Sequence, residues 1–123
     1  MNVVLYLRAP AERVAQVLEG LLLPDSAAVV TGLTGGWTSI YAEQLSEDLA
    51  DIEELAAPLS TDFGEVWAHA TLYYCFRDGA HTDTTHDAPP DVPVGIEGLS
   101  PIHVLREADK PGLIEFFGRS ADE

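Results

Sequence analysis

Apolar side chains arrive along this chain in two rhythms, and each change of rhythm marks an element. Val3, Val4, Leu5, Tyr6 and Leu7 form an unbroken β-favouring run, which predicts a strand buried on both faces. Beyond Pro10, Val14, Val17, Leu18, Leu21 and Leu22 recur at helical spacing, opposite Glu12, Arg13, Gln16 and Glu19. The spacing predicts a helix over 10–23, ended by Pro24. Residues 27–33 read as a second strand, and Gly35 and Gly36 turn the chain into a third at 37–41. Alternation there puts Trp37, Ser39 and Tyr41 on one face and Thr38 and Ile40 on the other.

Ser46 offers an N-cap, Glu47 and Asp48 suit the positive end of a helix, and Leu49, Ile52, Ala56, Leu59 and Phe63 form an apolar stripe. Pro58 predicts a kink or an early end, and Gly64 closes the helix. Residues 65–76 alternate as one long strand, with Val66, Ala68, Ala70, Leu72, Tyr74 and Phe76 on one side and Trp67, His69, Thr71, Tyr73 and Cys75 on the other. Asp78 and Gly79 then supply the residues a tight hairpin needs at positive φ. With those two as the turn, Phe76 faces His81, Tyr74 faces Asp83 and Thr71 faces His86. The polar return strand suits a sheet edge. Pro89, Pro90 and Pro93 exclude 88–93 from a sheet interior, and Ser100 with Pro101 predicts a short helix to about 108. A last helical turn or two is expected at 111–118, with 121–123 as a free tail. The β-α-β-β-α-β-β-α order predicts a single α+β domain over 1–120, a mostly antiparallel sheet with helices packed on one face.

Composition agrees with one packed core: 123 residues, 46% hydrophobic and 22% charged, are enough to build one. Charge adds more, because 21 acidic against 6 basic side chains give a formal net charge of -15. Such a surface repels nucleic-acid phosphates and anionic lipid heads, which argues against direct nucleic-acid binding. It attracts cations and basic protein surfaces. The single cysteine, Cys75, sits in an apolar run and reads as a buried hydrophobe. The opening residues read as a strand rather than a signal peptide, and no stretch approaches the ~20 apolar residues of a membrane-spanning helix. The cytoplasm is the expected compartment.

Two groups of residues are candidates for chemistry. Acids crowd the second helix, and Asp48, Asp51, Glu54 and Asp62 are the candidate contacts for a basic partner. His69, Asp83, His86 and Asp87 are the candidate ligands for a divalent metal at the hairpin, all being residue types that ligate one. The stretch 32–37 is glycine-rich, but it lacks the Lys-Ser/Thr ending of a phosphate loop and leads into a strand, so a turn is the better reading. Ser39, Ser46, Ser60 and Ser100 lack a nucleophile-elbow context.

From Trp37 to Pro89 the chain resembles a family of small, largely uncharacterised bacterial α/β proteins. The residues carrying the resemblance are Trp37, Thr38, Ser39, Ile40 and Tyr41, then Leu59 and Ser60, then Phe76, Arg77, Asp78 and Gly79, with Asp83 and Pro89 following. Thr85, His86 and Ala88 stand where the family pattern has an aromatic residue, an asparagine and a second aromatic. The resemblance implies the hairpin placement and brings no established activity. The leading expectation is a non-catalytic interaction protein of inhibitor, immunity or regulatory type, binding a basic protein and needing no cofactor. Its rival is a small-molecule or metal-binding domain, or an enzyme, built on the histidines of 69–87. A homodimer sealed through the polar edge strand is a third reading.

Overall fold

Residues 3–7 are buried throughout, and their odd and even members enter two different cores. A central strand requires this. The computed structural model describes residues 3–88 and 99–105, and it places that strand at the middle of a seven-stranded sheet. Chain order is β1 (Val4–Arg8), α1 (Ala11–Glu19), β2 (Ala28–Gly32), β3 (Trp37–Ala42), α2 (Leu49–Phe63), β4 (Glu65–His69), β5 (Tyr73–Arg77), β6 (Ala80–Thr85) and β7 (Leu99–Leu105). The sheet runs β6-β5-β4-β1-β3-β2-β7, with every neighbouring pair antiparallel. The fold is α+β. Val14 and Leu18 of α1 and Ile52, Leu55 and Leu59 of α2 share one core with Leu5, Leu7, Ile40 and Phe76. Burying each such leucine or isoleucine contributes roughly 1.5–3 kcal/mol.

Both helices start or stop differently from the sequence expectation. α1 ends at Glu19, and the chain continues in turns that keep Leu22 in the core, its N–H donating to the Leu18 carbonyl at 3.0 Å. Asp48, not Ser46, caps α2 by accepting from the Ala50 N–H at 3.1 Å. Ser46 braces the same turn from outside, donating to Asp51 Oδ2 at 2.6 Å and accepting from the Asp48 N–H. Pro58 does not end α2, which runs on to Phe63. The proline removes the donor for the Glu54 carbonyl, and Glu54 lies on the exposed side, where water can take the missing place.

Three strand expectations are corrected. Residues 65–76 are two strands, not one, because the chain turns back at 70–72 and pairs His69 with Tyr73. In the β5–β6 hairpin, Phe76 faces His81 as expected, but an irregularity between Cys75 and Phe76 leaves Tyr74 opposite Thr84 and Asp83 opposite Cys75. Thr71 and His86 fall outside the paired strands. Finally, 99–105 is strand β7 and not a helix. Its pairing with β2 jumps from Ile102 to Leu99, so Ser100 and Pro101 sit in an irregularity where a residue without an N–H is tolerated. The turns expected at 111–118 and the tail at 121–123 lie outside the described residues.

The turn of the second hairpin is pinned to the end of α2. Asp78 and Gly79 have φ of 50 and 92, as the turn type demands. The Gly79 N–H donates to Ser60 Oγ at 2.8 Å, and the Asp78 N–H donates to the Gly64 carbonyl at 3.2 Å. Ser60, fully buried, in turn donates to the Ala57 carbonyl at 2.8 Å. Leu59 with Ser60 and Asp78 with Gly79 are thus parts of one joint.

Candidate functional site

Residues directly opposite in antiparallel strands share a face, so the pairings can be followed across the sheet as rows. One row on the side away from α1 and α2 reads Asp83, Cys75, Trp67, Tyr6, Ser39, Thr31. The next reads Thr85, Tyr73, His69, Val4, Tyr41, Val29. Beside them stand the pairs Glu65 with Arg77 and Arg8 with Trp37. Aromatic side chains therefore collect on the face away from α1 and α2. They are buried at Tyr6, Trp37 and Tyr41, half-buried at Trp67, His69 and Tyr73, and they give way to exposed polar groups at β6.

Ionisation on this face follows burial. Burial, with a smaller contribution from Tyr73, pushes the Tyr6 phenol from its ordinary 10.0 up to about 12. Burial also drives the Tyr41 phenol upward, with Tyr6 adding to the shift and Ser39 opposing it. Trp37 Nε1 is buried with no hydrogen-bond partner among the described residues. His69 stacks flat on Tyr73, ring centroids 4.1 Å apart, and burial lowers its pKa. Burial raises the Cys75 thiol, which keeps it protonated and a poor nucleophile.

At the rim the face becomes ionic. Arg77 Nε donates to Glu65 Oε2 at 2.8 Å and its Nη1 to Asp83 Oδ2 at 3.0 Å. Trp67 Nε1 donates to the other Glu65 oxygen at 3.1 Å. Hydrogen bonding to Glu65 is the main reason the Arg77 pKa rises. Sequence reasoning missed this network because it treated 65–76 as one strand. The available signal was the opposite charge of Glu65 and Arg77, placed symmetrically about Thr71.

The metal candidates are spread over this geometry. Asp83 is held by Arg77, His69 lies against Tyr73, and His86 and Asp87 follow the end of β6. Among the described residues no group of three or more His, Cys, Asp or Glu side chains is placed to share a metal ion. Of the partner candidates, Asp48 and Asp51 are engaged at the start of α2, whereas Glu54 and Asp62 project into solvent. No helix among the described residues is long and apolar enough to cross a membrane. Comparison with family models, with curated proteins and with solved structures finds no match to this chain.

Proposed function

We propose that this domain is a non-catalytic binding protein that offers an acidic face, centred on Glu54 and Asp62 of α2, to a basic protein partner. The observation that carries the reading is where the positive charges of the described residues are spent. Arg77 is tied to Glu65 and Asp83, Arg13 lies 6.0 Å from the centre of the Phe63 ring, and Arg8 lies 4.9 Å over Trp37. Glu53, Glu54 and Asp62 stay exposed on α2. With a formal charge of -15, the surface steers basic proteins toward it and slows approach of acidic ones.

Glu54→Lys with Asp62→Lys is the test pair, because neither side chain caps or braces α2. Affinity capture at low salt should recover a basic protein with the wild type and lose it with the double reversal. Recovery of the same protein by both forms, undiminished at high salt, would contradict an electrostatic face.

A further inference from the structure

Among aspartyl steps, aspartate followed by glycine rearranges most readily, because glycine has no side chain to hinder attack of its backbone nitrogen on the preceding carboxyl group. This chain contains one such step, Asp78–Gly79, and no asparagine followed by glycine. It forms the tip of the β5–β6 hairpin, with Asp78 exposed and Gly79 half-buried. Asp78 is also the one non-glycine residue at positive φ among the described residues, with φ of 50. Backbone in that region persists only where its surroundings hold it there.

Those surroundings are the end of α2. The Gly79 N–H donates to Ser60 Oγ at 2.8 Å, and Ser60, fully buried, spends its own proton on the Ala57 carbonyl. The Asp78 N–H donates to the Gly64 carbonyl at 3.2 Å, so the peptide groups on both sides of Asp78 are fixed. A Cβ on Gly79 would stand 2.8 Å from Thr61 Oγ1, which places the turn directly against the helix. Rearrangement needs the opposite conditions. The Gly79 nitrogen must give its proton to a base from solvent, and the Asp78 backbone must rotate to bring that nitrogen onto Cγ. In the closed joint a hydroxyl that is no base holds the proton, and the rotation breaks a hydrogen bond. The reaction therefore belongs to the opened joint.

We propose that Asp78 is a covalent modification site, converting to isoaspartate from the opened joint, and that Ser60 sets the rate by holding the joint closed. In the first step the Gly79 nitrogen forms a bond to Asp78 Cγ, the carboxyl C–OH bond breaks, and the amide proton and that hydroxyl leave as water. Water then opens the succinimide at either carbonyl, returning aspartate or giving isoaspartate, whose main chain carries an extra carbon. The site does not depend on the acidic face of α2 or on a partner. The full chain is aged in warm neutral buffer, natively and in guanidinium chloride, and isoaspartate at position 78 is measured by peptide mapping with mass spectrometry. The native wild type should form it about tenfold or more slowly than the denatured chain. Ser60→Ala, its fold checked by circular dichroism, should form it about five- to thirtyfold faster than native wild type. Hydrogen exchange of the Gly79 amide in the wild type should be slowed by the same factor as isomerisation, because both wait for one opening. Equal rates in native and denatured wild type overturn the proposal, as does a folded Ser60→Ala that ages at the wild-type rate. If that variant fails to fold, the wild-type comparison with exchange decides, and an exchange factor unlike the ageing factor overturns the proposal.

Discussion

Tyr6 keeps its proton at a pH where the unfolded chain has lost it. Its folded pKa of about 12 lies above the ordinary 10.0, so the unfolded state releases the proton first as pH rises. The sign follows from linkage: stability is unaffected by this group below pH 10 and falls between about 10 and 12. Denaturant unfolding at stepped pH, beside phenolate absorbance, should show that fall, and Tyr6→Phe should lessen it. A Tyr6 that ionises together with exposed phenols would contradict its burial. His69 has the opposite sign, since its lowered pKa makes stability fall as pH drops below the ordinary 6.5. Faces were legible at this scale: alternation alone put Trp37, Ser39 and Tyr41 on one side and Ile40 on the other. Meetings between strands were not. Whether Asp83 faced Tyr74 or Cys75 turned on an irregularity that a run of Thr, His and Asp does not announce.

Among elements, the joint between α2 and the second hairpin is the most exposed to single substitutions. Ser60→Ala removes the acceptor of the Gly79 N–H and should cost about 1–2 kcal/mol, read from chemical denaturation. Gly79→Ala should cost about 1–3 kcal/mol, because its φ is 92 and the new methyl would stand 2.8 Å from Thr61 Oγ1. Adding Thr61→Ala should recover the steric part and leave the backbone part. Equal stability of Gly79→Ala and wild type would show that the hairpin does not sit where described. The element errors have physical causes. A three-residue turn between His69 and Tyr73 leaves both on the same face, as an unbroken strand would, so alternation cannot see it. The residues at 70–72, Ala, Thr and Leu, carry no glycine or proline to mark it. At 100–101 the reverse occurred: Ser-Pro is a helix opening by local preference, but it also fits an irregular edge strand, and pairing with β2 decided the outcome.

At the scale of the whole molecule, charge dominates. A formal -15 on 123 residues makes the folded chain repel itself, and salt relieves that with a screening length of about 10 Å at 0.1 M. The melting temperature should rise as sodium chloride is added from low ionic strength, followed by calorimetry; a flat or falling curve would mean that ion pairs such as those of Arg77 outweigh the repulsion. The acidity was legible from composition, but its division was not. Asp48 and Asp51 are used within the fold, and only their contacts at the start of α2 separate them from Glu54 and Asp62. The most direct test is the association rate of a captured basic partner, measured against salt for the wild type and for Glu54→Lys with Asp62→Lys. Electrostatic recognition predicts a wild-type rate that falls steeply with salt, and for the double reversal a slower rate with a shallower salt dependence. Identical rates and identical salt dependence for the two proteins would contradict it.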